Sequence, residues 1–123
     1  MDLGFYYGES NSYTLSSLND AVLQGRYTGL STFWASGDNK RVTGLYRANG
    51  QINYATIEAS LSDKDLLTFA EGKTYSQTIT KIVAGDLILF KTTEGKIGLL
   101  KVASVNGNTT VNAQISFDGL VQK

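Results

Sequence analysis

The 123-residue chain contains no cysteine, no histidine and no proline. Without cysteine there is no disulfide and no thiolate. Without histidine there is no imidazole to act as acid, base or ligand. Ser–His and Cys–His nucleophile pairs and N/S-ligated zinc or iron are thereby excluded. No Ser/Gly linker, charge block or tandem repeat marks a boundary, so one domain over residues 1–123 is expected. No stretch approaches 18 consecutive apolar residues, so no membrane-spanning helix is expected. Charge of one sign is lacking as well, because eleven Lys+Arg balance eleven Asp+Glu. That balance, and the absence of interleaved aromatic and basic residues, argue against nucleic acid or an acidic membrane as partner.

What the chain does have is apolar residues, 41% of the total, and thirteen glycines that fall mostly where turns are needed. A chain of this length buries roughly two thirds of its unfolded surface. Aromatics are uneven: only Phe90 and Phe117 lie beyond residue 75. The C-terminal part is aliphatic and regular. Asn106-Gly107 is a two-residue hairpin signal, since both residues tolerate the positive φ of a type I′ turn. It sets Val105 opposite Asn108, Val102 opposite Val111, Leu100 opposite Ala113 and Gly98 opposite Ile115. In the last strand, Val111, Ala113, Ile115 and Phe117 alternate with polar residues, the mark of a sheet with one wet face. Ile97–Val105 is apolar on both faces except at Lys101 and reads as a central strand. Leu87–Phe90, turning back through Glu94-Gly95, completes a three-stranded meander. Gly98 within the central strand implies a close approach or a bulge.

A second hairpin is expected at Asn49-Gly50, pairing Arg41–Ala48 with Gln51–Glu58. Val42 would face Ile57, Thr43 face Thr56, and Arg41 face Glu58. Leu3–Tyr7 and Leu30–Ala35 also read as strands. Ser62 has the placement of a helix cap ahead of an apolar stripe of Leu66, Leu67, Phe69 and Ala70, with Gly72 as the stop. A weaker helix runs from Ser17 through Leu18, Val22 and Leu23 to Gly25. The fold class that follows is mainly β with minor α (α+β): an antiparallel sheet or small open barrel, one or two short helices, and a C-terminal three-stranded meander.

The run Ile82-Val83-Ala84-Gly85-Asp86-Leu87-Ile88-Leu89-Phe90-Lys91-Thr92, followed by Glu94-Gly95-Lys96-Ile97-Gly98-Leu99-Leu100-Lys101-Val102, resembles the C-terminal segment of small β-rich domains in gut-bacterial surface lipoproteins. Asp2–Tyr7, Thr14–Ser17 and the final Val121-Gln122-Lys123 are similar to the same domains, although a proline after the early Ser pair is missing here. The resemblance covers about half the chain. It implies export and surface anchoring through a lipidated cysteine upstream, and implies no reaction. Met1–Phe5 lacks the basic start and long apolar run of a signal peptide, which leaves two readings: a cytoplasmic protein, or one whose export segment preceded these residues. The motif also has a local rationale. Gly85 can take a left-handed φ and Asp86 can bind neighbouring amides, launching a strand sharply.

Carboxylates are the only acid–base chemistry left. Asp63 and Asp65 lie two apart at a helix start, where the helix dipole accounts for them. Glu58 is assigned to Arg41, and Asp38 to the turn Ser36–Lys40. A carboxylate-pair hydrolase would need two carboxyls facing each other across a cleft at roughly 5–10 Å, and no pattern points to such a pair. The segment from Asp63 fails the EF-hand spacing, and no glycine-rich run ends in Gly-Lys-Ser/Thr. Lys91, Lys96 and Lys101, spaced in fives, read as solvated strand ends rather than a binding stripe. Asn108-Thr109-Thr110 matches a glycosylation sequon beside a turn. No catalytic residue, metal ligand or cofactor is expected.

Seven tyrosines and one tryptophan remain as binding candidates. Their flat apolar faces and polar tips suit sugars or protein partners. Adjacent strand residues face opposite ways, so one of Tyr6 and Tyr7 should point outward, as should one of Phe33 and Trp34. The expected ligand-binding residues are Trp34, Tyr46 and Tyr7. The expected function is non-enzymatic: an exported, extracytoplasmic β-rich domain with a binding or structural role at a bacterial surface, its partner a polysaccharide or another surface protein. The alternatives are a carbohydrate-binding module using exposed aromatics and a carboxylate-pair hydrolase.

Overall fold

The computed structural model describes residues 3–8, 12–27, 29, 42–60, 63–107 and 113–121. The elements run β1 (Leu3–Gly8), β2 (Ser12–Ser17), α1 (Ala21–Arg26), β3 (Gly44–Arg47), α2 (Tyr54–Ala59), α3 (Lys64–Ala70), β4 (Thr78–Ile79), β5 (Leu87–Lys91), β6 (Ile97–Asn106) and β7 (Gln114–Val121). They form two antiparallel sheets, of order β1-β2-β4 and β3-β5-β6-β7, and three short helices. The class is mainly β with minor α, with one more helix among the described residues than expected, and the described strands do not close into a barrel. The sequon Asn108–Thr110, the strand proposed at Leu30–Ala35, Trp34, Arg41, the Asp38 turn and the Ser62 cap lie outside the described residues.

Side-chain alternation assigns each sheet face to a layer. Phe5 and Leu15, directly paired across β1 and β2, turn toward the larger sheet. There they meet Leu45, Ile88, Phe90, Leu100 and Val102 in the central core. The opposite face of the small sheet carries Tyr6, which is buried with Leu18 and Leu23 of the α1 region. Helix α1 lies so close to β1 that a Cβ on Gly4 would come within 2.3 Å of Leu23 Cδ2. The far face of the larger sheet, with Leu87, Leu89, Ile97 and Leu99, packs against Leu66 and Ala70 of α3 and, through Tyr54 and Ile57, against α2. The order of layers is therefore α1, small sheet, large sheet, then α2 with α3.

The segment 76–79 stitches the sheets together. Ser76 exchanges backbone hydrogen bonds with Leu45 of β3 at 2.7 and 2.8 Å, and two residues later Thr78 and Ile79 pair with β2. A second stitch is polar: the Thr43 amide donates to Ser17 Oγ at 2.8 Å, both residues being buried.

The meander β5-β6-β7 is present, with β6 central as expected. Gly85 adopts φ +93°, and Asp86 Oδ2 accepts from the Val83 amide at 3.0 Å, so the strand launch works as its sequence implies. The β6–β7 register, however, differs from the two-residue hairpin. Gly107 does take a positive φ, but Asn106 pairs with Gln114 and the connection is longer. Val102 faces Phe117, Leu100 faces Gly119 and Gly98 faces Val121, with a bulge between Val102 and Ser104. Packing is consistent with this register: Leu100 Cδ2 sits 3.2 Å from where a Gly119 Cβ would be, so a side chain there would have to press on Leu100. Phe117, opposite Val102 on the outermost strand, is exposed alongside Ser116 rather than enclosed.

The Asn49–Gly50 hairpin does not form. Gly50 turns the chain at φ +72°, but β3 pairs with β5 on one edge and with Ser76 on the other, leaving no edge for Gln51–Glu58. Residues 54–59 form α2 instead, capped by Asn53, whose side-chain oxygen accepts from the Thr56 amide at 3.1 Å. The expected partners part accordingly. Thr43 bonds Ser17, while Val42 exchanges hydrogen bonds with the Thr93 hydroxyl at 3.1 and 2.9 Å. The two helices expected from sequence occur as α1, capped by Asp20, and α3, followed by Gly72 at φ +73°.

Gly98 tests this packing most directly, since a Cβ there would fall 2.0 Å from Phe90 Cζ and 2.8 Å from the Leu120 carbonyl oxygen. Gly98→Ala is expected to destabilise the protein by about 1–3 kcal/mol. Adding Phe90→Leu should recover part of that loss, read as urea midpoints at unchanged slope.

Candidate functional site

Tyr7 and Tyr13 form the described aromatic pair nearest to a ligand platform. They are directly opposed across β1 and β2, with centroids 5.1 Å apart and planes at 66°, an edge-to-face contact. Both are half-buried at the end of the hairpin. The Tyr13 hydroxyl donates to the Gly107 carbonyl, tying the pair to the end of β6. Tyr13 was not among the expected residues. Alternation in β2 does not single it out, since Thr14 and Ser16 are buried as well as Leu15; the β1–β2 register is what sets Tyr13 against Tyr7.

Tyr46 was expected to be an exposed ring and is not. It is half-buried on the helix-covered face of the large sheet, beside the α3 core. Its hydroxyl donates to Gln51 Oε1 at 2.7 Å, and Lys73 Nζ lies 5.5 Å from its ring centroid and 4.5 Å from that of Phe69. The outward choice between Tyr6 and Tyr7 also has a different basis, because α1 covers the Tyr6 face and Tyr6 is buried. Tyr7 and Tyr46 therefore sit in different layers, with the large sheet between them, and do not form one site. Trp34 lies outside the described residues.

Two acids converge on one group. Glu58 of α2 and Asp118 of β7 both act on the Tyr54 phenol, whose pKa is raised by burial first and then by these two charges. Burial likewise raises the Tyr75 phenol, whose hydroxyl points to the Ala70 carbonyl at 3.4 Å. Asp63 and Asp65 stand at the start of α3, as expected. Lys91, Lys96 and Lys101 are all exposed. Among the described residues no group of three or more His, Cys, Asp or Glu could hold a metal ion.

The densest polar constellation is centred on Asp86, the only charged side chain buried among the described residues. Asn49 Nδ2 donates to Asp86 Oδ1 at 2.7 Å, the Val83 amide donates to Oδ2 at 3.0 Å, and Arg47 approaches Oδ2 at 3.6 Å. Asn49 Oδ1 in turn accepts from the Leu87 amide at 2.6 Å, and Arg47 donates to the Thr80 carbonyl at 2.6 Å. These contacts bind the Asn49–Gly50 turn, the start of β5 and the approach to it into one unit. No family model, curated protein or solved structure matches this chain.

Asn49→Ala should cost about 1–3 kcal/mol, because it takes a donor from the buried Asp86 carboxylate, and Asp86→Ala should cost about 1 kcal/mol or more, because Asn49, Arg47 and the Val83 amide lose their common acceptor. The double variant should cost less than their sum, as measured in a urea double-mutant cycle. The phenols set an alkaline limit. Below pH 10 both folded and unfolded chains hold the Tyr75 proton. Above it the unfolded chain releases first, so stability falls as pH rises through the raised folded pKa. Tyr75→Phe should flatten the fall in melting temperature as pH rises above about 10 and leave it unchanged below.

Proposed function

We propose that this chain is a non-catalytic β-rich domain with a binding or structural role at a bacterial surface. The observation that carries the reading is the use made of Asp86. The one buried charge of the described structure is engaged by Asn49, Arg47 and the Val83 amide, which makes it a joint between segments. The same use recurs at Ser17 and Thr43, whose contact joins the two sheets. The resemblance of Ile82–Val102 to surface-lipoprotein domains supports export; no described helix is long and apolar enough to cross a membrane.

A carbohydrate-binding role is the second reading, and the Tyr7–Tyr13 pair favours it. Two half-buried tyrosines, edge to face at a strand end, offer a ring surface with polar tips, the chemistry that sugar faces require. Of the three sequence candidates, Tyr7 is the one in this pair, joined here by Tyr13.

Two measurements test these readings. Expressed from its full gene in the bacterium, the protein should be degraded by protease added to intact cells; protection of all of it would refute surface placement. On a bacterial and plant polysaccharide array, the carbohydrate reading expects binding that Tyr7→Ala weakens by at least about tenfold with an unchanged circular dichroism spectrum. Binding indifferent to Tyr7→Ala would remove that reading while leaving surface placement intact.

A further inference from the structure

Edge strands expose a row of unpaired backbone groups, and folded proteins generally blunt or cover them. Three of the four edges among the described strands are managed. The outer side of β3 is bonded to Ser76. Strand β4 is only two residues long. On β1, α1 packs against the strand and the Tyr27 hydroxyl donates to the Phe5 carbonyl. The fourth edge is different. Strand β7 is eight residues long, pairs among the described residues only with β6, and carries a single charge, Asp118. Its face bears Phe117, exposed at 45%, and Val121, exposed at 57%, with Gly119 between them.

We infer that β7 pairs antiparallel with β7 of a second copy, about a two-fold axis through Gly119, joining two four-stranded sheets into one of eight. The pattern is self-complementary. Antiparallel strands keep their faces matched only when residues of like parity oppose each other. An axis through Gly119 sets Phe117 of each copy against Val121 of the other, and places the two residues without side chains at the centre. The large exposed apolar groups of the strand are then both covered. An axis through Asp118 would bring two carboxylates face to face, which is unfavourable. Through Gly119, the Asp118 residues are offset diagonally on the other face, and each stands opposite Lys101 of its own chain. The zero net charge of the chain adds no long-range repulsion between copies. A two-fold interface of this kind closes at the dimer.

The absence of cysteine makes the register directly readable, since any disulfide must join introduced residues. Directly opposed antiparallel residues have Cα atoms about 4.5–5.5 Å apart, within the range a disulfide spans. Phe117→Cys and Val121→Cys chains of different tagged length, mixed and oxidised, should give the mixed dimer at least about tenfold faster than either variant alone cross-links with itself. By sedimentation at about 100 µM, the unsubstituted chain should be a dimer; Phe117→Lys should raise its dissociation constant by at least about tenfold. Val22→Lys, at an exposed position of α1, should leave it unchanged. A monomer at that concentration, no mixed dimer on oxidation, or equal cross-linking of the single variants would overturn the inference. So would a dimer that Val22→Lys weakens and Phe117→Lys does not.

Discussion

A carboxylate placed inside an apolar structure must find hydrogen-bond donors or forfeit the free energy of its lost hydration. Asp86 meets that requirement by drawing donors from separate parts of the chain. Asn49 comes from the turn after β3, Val83 from the segment before β5, and Arg47 from β3 itself. The Asp86 backbone also accepts from Val102 of β6 at 2.9 Å. Strand β5 therefore begins at a junction where four pieces of chain are held together. The pairing of β3 with β5 follows from that junction, and with it the sheet on which both core clusters are built.

Close approach is the second constraint, and glycine supplies it at the layer contacts. Gly4 lets α1 settle on β1, Gly98 admits the Phe90 ring, Gly44 lies under Tyr75, and Gly119 receives Leu100. These are positions where volume is the issue. At Gly85, Gly95 and Gly107 the requirement is instead a positive φ. The two uses divide the work: one group sets how near the layers come, the other sets where strands turn. The segment 76–79 then decides how the sheets lie, because it hydrogen-bonds to one with Ser76 and to the other with Thr78 and Ile79.

Much of the strand content was legible because the period-two pattern and the glycine turns act locally. Leu87–Lys91 and Ile97–Asn106 are strands near their expected bounds, and α3 follows the stripe Leu66, Leu67, Phe69 and Ala70. Partner choice was less legible. Asn49-Gly50 reads as a hairpin turn in isolation, yet the Asn49 side chain is claimed by Asp86 and Leu87, nearly forty residues away. Gln51–Glu58 contains β-prone residues, but Asn53 caps a helix once no strand edge is available. The aromatic site was the least legible part. Alternation says that Tyr6 and Tyr7 oppose each other, but only the docking of α1 determines that Tyr6 is buried.

By itself the sequence determined the class of the protein, the sites of its turns and the chemistries denied to it, because those depend on residue identity and on neighbours within a few positions. It also determined that Gly85 and Asp86 begin a strand, a matter of one φ angle and one short side chain. The tertiary structure decided which strands are partners, the register of β6 on β7 and which tyrosines remain accessible. Those outcomes turn on long-range competition for edges and volume. Leu100 packs closely over Gly119, and the two edges of β3 are taken by β5 and Ser76.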